Sequence, residues 1–412
     1  MVGFSSSRFT AGAAAPPELP EWLRERRALD FDAFQEQPFP DTSMEDWRRT
    51  DLRHLVLDEY APPLQPAAPP PVVAELAAQG VTISSLEQAA RDQPDLVRRY
   101  FEHEVVPASA GKFAALNAAF WRGGMFVHVP RGVTATVPVW NAVGAPGDTE
   151  PQAILPRSLV VVEEGGHLVY TDQFGGPVAA GTALCSSVTE VVLGDGAGIQ
   201  YLVLQEWPET VNHFATHRIH LGKGCQAELV VAATGGALSK TYMEVAMLGE
   251  GSHARISGLV IGDGKQHFDY QSLQDHFAPN CDSDLLVKAA LRDTSYSVYS
   301  GLIKIRKDAQ HSNAYQANRN LLLSPTAKAH TIPRLEIEAN DVRCTHGATV
   351  GQVDADQLFY LETRGIQTRE AQNLLVHGFF QPVIDRIALP EVQQHIHDTI
   401  DAALGETAEA AA

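Results

Sequence analysis

Leu193-Gly194-Asp195-Gly196-Ala197, Leu221-Gly222-Lys223-Gly224-Cys225 and Leu248-Gly249-Glu250-Gly251-Ser252 repeat one phrase, with starts 28 (221−193) and 27 (248−221) residues apart. Two glycines around a polar residue make a turn, so each phrase closes one strand and opens the next. Turns at a fixed period of this size mark stacked repeats. Outward from them, between about Met125 and Val353, no 3.6-residue period stands out. The stretch holds only short apolar or alternating runs such as Ser158-Leu159-Val160-Val161-Val162 and Gln226-Ala227-Glu228-Leu229-Val230-Val231. Short strands and regular turns without intervening helices predict a mainly β chain whose core, 125–353, is a parallel β-helix, or solenoid. A sandwich of ordinary hairpins is the alternative.

Both flanks read as helical. Leu19, Trp22, Leu23 and Leu29 recur at near-helical spacing, a second helical stretch surrounds Met44 to Leu52, and Phe113, Leu116, Ala119 and Phe120 share a third face before Gly123-Gly124. An N-terminal helical region over 1–124 follows, interrupted by a semi-rigid linker at 61–71, where six of eleven residues are proline. Beyond the strands, Asp354 and Gln357 have capping-box spacing ahead of Leu358, Phe359 and Leu361, and Gly365 ends that helix. Thr368 caps a second helix with Ala371, Leu374, Leu375, Gly378 and Phe379 on one face, kinked or ended at Pro382, and Pro390 starts a third. The region 354–412 is therefore expected to be helical.

Composition narrows the function. The 412 residues are 44% hydrophobic and 20% charged, ample for a folded core, and a formal net charge of −19 with no basic patch disfavours nucleic acid. Cys185, Cys225, Cys281 and Cys344 stand far apart, which suits a reducing compartment. Met1 to Pro17 holds one basic residue and no apolar run of signal length, and no eighteen apolar residues are consecutive. The expectation is a cytoplasmic protein with no membrane partner, although the Ser- and Ala-rich start leaves an organelle-transit reading open.

Common catalytic signatures are missing. There is no phosphate loop, no Gly-x-Ser-x-Gly elbow and no His-Glu-x-x-His helix, so the chain is expected not to be an enzyme by itself. His213 and His217 share a strand face while His220 faces the other way, a pattern of packing more than of ligation; His395 and His397 diverge on a helix. Cys344 and His346, two apart on a strand, project to the same face. A thiolate beside an imidazole suits a soft metal or an iron–sulfur cluster, and the thiolate can also accept sulfur. Two ligands cannot enclose a cluster, so others would come from another coil or chain; equally, Cys344 serves as a small core residue.

The run Ala339-Asn340-Asp341-Val342-Arg343-Cys344-Thr345-His346-Gly347-Ala348-Thr349-Val350-Gly351, followed by Asp356-Gln357-Leu358-Phe359-Tyr360-Leu361 and Arg364-Gly365-Ile366, resembles the SufB/SufD family of iron–sulfur cluster assembly scaffolds. Gln316 to Leu323, Pro333 to Ile337 and Glu45-Asp46-Trp47-Arg48-Arg49-Thr50 are similar to the family as well. The SufD members fit best, since SufB members carry a Glu-His-Glu pattern where this chain has Thr345-His346-Gly347; Asn340 stands where an acid is usual. The resemblance implies a right-handed parallel β-helix that pairs with a SufB-like subunit and docks a SufC-like ABC ATPase. That docking would use C-terminal helices carrying Leu358, Phe359, Arg364, Gly365, Leu374, Leu375 and Phe379. It also implies that His346, with Cys344 beside it, contributes to a transient cluster shared at the partner interface; whether a flavin binds stays open. Other readings are a SufB-like subunit, a homodimer with an inert Cys344, or a carbohydrate-active β-helix with acidic pairs in its groove.

Overall fold

The structure is a computed structural model that describes residues 8–63, 73–101, 105–145, 150–178 and 181–405. Among the described residues the strands form a ten-stranded and an eight-stranded sheet, and from Arg157 to Gln352 successive strands alternate between the two. Within each sheet consecutive neighbours from Met125 onward are parallel, so the chain coils as a solenoid rather than folding into hairpins. The repeated phrases are its corners: Gly196, Gly224 and Gly251 have φ of 67°, 64° and 71°, a left-handed conformation that glycine adopts without a Cβ clash. Coil length follows phrase spacing. Gly198 pairs with Gln226 and Gln226 with His253, offsets of 28 (226−198) and 27 (253−226).

Apolar runs such as Ser158 to Val162 do not alternate because both faces of these strands are covered. Inside lie columns such as Val191, Ile219 and Val245. Outside, Phe214 and Leu238 pack under the N-terminal helices, with Phe214 stacked on Phe113 at 3.6 Å. Leu202, Val230, Leu259 and Leu286 pack under the C-terminal helices.

At the N-terminus the helix Glu21–Glu36 buries Leu23 and Phe34, whereas Leu29 is 67% exposed, so the expected face is rotated away from it. The expected helix around Met44 to Leu52 is only a 3-10 turn, Glu45–Trp47, held by tertiary contacts instead of helical ones. Buried Lys240 donates to the Asp46 carbonyl (2.8 Å) and pairs with Asp269 (2.6 Å), which also accepts from Thr50 Oγ1 (2.5 Å). Residues 64–71 of the expected linker lie outside the described residues. The region expected to be helical also holds a strand, Thr82–Ser85, antiparallel to Met125–Val129, which closes the first coil's edge. Helices Leu86–Asp92 and Pro94–Phe101 follow it.

Helix Lys112–Phe120 is bolted to the solenoid through Asn117, whose amide donates to the carbonyls of Pro156 and Ser186 (2.9 and 2.8 Å). Asn117 Oδ1 accepts from Arg157 (3.2 Å), and Arg157 forms a buried pair with Glu190 (2.9 Å).

At the C-terminus Asp354 caps the helix Ala355–Thr363 by accepting from the amides of Asp356 and Gln357, and Gly365 (φ 85°) ends it. The next helix, Thr368–Ile384, is capped differently from expectation. Gln367 is its N-cap, without a side-chain bond, and the Thr368 hydroxyl donates to Glu362 instead (2.7 Å). Pro382 sits inside this helix on its exposed side and does not end it. The helix Pro390–Gly405 starts at its proline, as expected, and packs back on the second through Ile396 and Ile400.

Candidate functional site

Each sheet ends on an open edge. Among the described residues, Lys328–Ile337 pairs only with Tyr296–Ile305, and Arg343–Gln352 only with Asn313–Leu322. Unpaired N–H and C=O groups along two neighbouring strands are a template for a further strand or chain. Leu335, Ile337 and Val350 are 37%, 41% and 45% exposed there, whereas the same columns are buried in earlier coils. The site residues sit on this end.

Cys344 and His346 lie in register with Ala314 and Gln316, both of which are buried and face the interior. The pair therefore projects over the solenoid's open end, on one face, as strand alternation requires. Cys344 is half-buried against the small cluster of Ile303, Ile305, Ala309 and Ala314, and burial pushes its thiol pKa up. His346 is exposed, and no hydrogen bond joins it to the thiol. Among the described residues no group of three or more His, Cys, Asp or Glu side chains is placed to hold a metal ion. The pair supplies at most two donors of a site completed from elsewhere.

Behind the pair the interior becomes polar. The column under His346 reads Gln316, then Leu285, Ile256 and Leu229, so the change falls one coil below the site. Gln316 Nε2 donates to the Gly301 carbonyl (3.4 Å), and Gly301 leaves that space open, since a Cβ there would lie 2.5 Å from the same nitrogen. Next to it Gln274 Nε2 donates to Ser283 Oγ (2.7 Å), and His276 Nε2 lies 2.8 Å from that oxygen. Burial holds His276 down at about 4, so its ring is neutral. Nothing local in the sequence marks these residues; the signal that reaches Gln316 is the coil offset of 30 (346−316) applied to the strand parity of His346.

The expected docking residues divide. Helix Ala355–Thr363 buries no residue; Leu358 is half-buried, Phe359 and Tyr360 are 66% and 56% exposed, and Arg364 lies over the Tyr360 ring at 5.1 Å. Gly365 is exposed in the turn that follows. On the next helix Val376, Phe380, Val383 and Ile384 pack on the solenoid; of the expected one-face set Ala371 is buried and the others are not. Leu374 is 49% exposed and Gly378 exposed, while Leu375 and Phe379 are half-buried at the boundary. Lys288 Nζ lies 4.7 Å over the Phe379 ring, and its pKa is lowered to about 8 by burial and by the nearby Arg319 and Arg386.

The histidine clusters serve other ends. His213 and His217 are buried inside the solenoid, His213 bonded to Ser187 (2.9 Å) and His217 to the Tyr201 hydroxyl (2.7 Å), which also donates to buried Asp172. His395 meets Glu206 (2.5 Å), and His397 meets His377 (3.0 Å), which contacts Asp401 (2.8 Å). No helix among the described residues is long and apolar enough to cross a membrane.

Comparison with known proteins agrees with this geometry. Residues 145–379 match the family described as SUF system FeS cluster assembly, SufBD core domain, and residues 71–140 match the SufBD protein N-terminal region. The chain is 29% identical over 329 residues to the iron-sulfur cluster assembly protein SufD of Bacillus subtilis, covering 79% of this chain and 75% of that protein. It is 30% identical over 308 residues to an iron-sulfur cluster assembly SufBD family protein of Staphylococcus epidermidis, covering 75% of this chain and 66% of that one. The Bacillus subtilis protein SufB is 28% identical over 308 residues, 75% of this chain and 66% of its own length. A parallel solenoid with an open, Cys- and His-bearing end and a match across more than half its length place this chain in the SufBD family of iron–sulfur cluster assembly proteins.

Proposed function

We propose that this chain is the SufD-type subunit, a non-catalytic scaffold that pairs its open end with a SufB-like subunit and carries a SufC-like ATPase on its C-terminal helices. The observation that supports this reading most is the coincidence of unpaired sheet edges, exposed Leu335, Ile337 and Val350, and the Cys344–His346 face in one coil. Strand addition by a partner would cover all three at once and bring the missing ligands. The nascent cluster is cargo, held between chains and passed on.

ATP-driven pairing of two ATPase copies would pull on the C-terminal helices. Their inner face grips the eight-stranded sheet through Val376 and Phe380, and Arg386 pairs with Asp284 (2.8 Å), so the pull reaches the coils near the seam. Similar identity to SufB keeps a SufB-like role as the second reading, against which Thr345-His346-Gly347 lacks flanking carboxylates.

Co-expression with both candidate partners, purified through a tag on this chain alone, tests the assignment of surfaces. Val350→Arg is expected to lower recovery of the SufB-like chain while leaving the ATPase, and Phe359→Asp to do the reverse. Each loss is about thirtyfold in affinity if the residue is an interface hot spot worth about 2 kcal/mol. Wild-type recovery of both partners by both variants would sink the assignment.

A further inference from the structure

We infer that the cleft between the N-terminal region and the outer face of the ten-stranded sheet binds a small planar heteroaromatic molecule carrying an N–H donor. The cleft has a volume of about 230 Å³. Its floor is sheet surface, Thr216 and Tyr242; one side is the aromatic group of Phe113, Phe214 and Trp47, and the other is the Arg218–Glu244 pair. An apolar cavity of about 150 Å³ accepts benzene, so this volume fits a substituted ring or two fused rings.

Shape and chemistry agree. Stacked and tilted rings present flat apolar surface that favours a planar guest in offset or edge contact. Opposite them, three polar atoms remain open. Glu244 engages Arg218 through Oε2, and Arg218 also donates to the Val105 carbonyl (2.7 Å), leaving Glu244 Oε1 without a hydrogen bond among the described residues. The Tyr242 hydroxyl and Thr216 Oγ1 likewise make none. A carboxylate oxygen only accepts, which requires a donor on the guest; the two hydroxyls take either role. Apolar walls with a few convergent polar groups, at the junction of two parts of the fold, are the usual form of a small-molecule site.

The larger groove on the eight-stranded sheet, about 850 Å³, offers less. Its charged groups are already matched, Arg255 to Glu228, His253 to Asp282, and Asp284 to Arg386 outside the groove lining. The aromatic cleft lies on the outer sheet face, whereas Cys344 and His346 occupy the terminal coil, so the inference does not depend on the scaffold role.

Saturation-transfer NMR on the full chain, with adenine and indole as probes, tests it. The expected result is transfer to the ring protons of at least one probe, saturable on titration, about fivefold weaker in Tyr242→Phe, the size of one lost hydrogen bond. In Thr216→Leu, which fills the floor, the transfer should vanish while the thermal midpoint stays within a few degrees. Should Thr216→Leu fail to fold, Tyr242→Phe decides alone. No transfer to either probe, or equal affinity in wild type and Tyr242→Phe, overturns the proposal.

Discussion

Acidifying the chain from pH 7 to pH 5 is expected to remove about 6 kcal/mol of folding stability, about 2 kcal/mol from each of three buried histidines. His213, His217 and His276 are buried, and desolvation lowers them from the ordinary 6.5 to about 3, about 3 and about 4. Each is a hydrogen-bonded neutral ring in the folded chain, to Ser187, Tyr201 and Ser283 respectively. With folded values depressed, the unfolded chain binds more protons below 6.5. The contribution is therefore whole above that pH and is lost as pH falls from 6.5 to about 4 for His276 and to about 3 for His213 and His217. Asp172 and Glu244, whose carboxyls burial pushes up, work in the opposite sense and soften the slope. Urea midpoints at pH 7, 6 and 5 check this, with His276→Gln expected to remove about one proton from the pH dependence. A midpoint unchanged between pH 7 and 5 would contradict it.

Arg157→Ala is expected to cost about 3–5 kcal/mol, because it strands the Glu190 carboxylate inside the protein. Arg157 and Glu190 side chains are 6% and 4% exposed. The guanidinium also donates to the Val106 carbonyl (2.9 Å), and Glu190 accepts from the Val106 amide (2.9 Å). One ion pair thus seams the segment ahead of helix Lys112–Phe120 to the first coils. Removing both charges should hurt less than removing one, so Arg157→Met with Glu190→Met should recover most of the loss. If the double variant is as unstable as Arg157→Ala, the cost comes from packing and not from the unpaired charge.

The solenoid was legible in the sequence because its corners need glycine and coils of similar length repeat them, so three Gly-x-Gly phrases reported the register directly. The helical ends were legible in outline only. Leu29 and Leu374 obey helical spacing yet face solvent, because periodicity identifies an apolar stripe without saying which side meets the sheet. The turn at Glu45–Trp47 depends on Lys240, 194 residues from Asp46, and on Asp269, 219 residues from Thr50, and no local pattern encodes those contacts.

At the site, strand parity put Cys344 and His346 on one face, and the structure keeps that. It could not reveal that Ile303 and Ala314 half-bury the thiol, or that Gln274 and His276 meet Ser283 beneath, since these come from strands in different coils. The open edges themselves are a property of where the stack stops.

We propose that His346 belongs to a site shared with a SufB-like chain. Its most direct test is the visible absorption of the anaerobically purified complex with SufB-like and SufC-like partners, wild type against His346→Ala. Both complexes are expected to assemble in equal yield, with the cluster absorption lost only from His346→Ala. Equal absorption from the two complexes would contradict it.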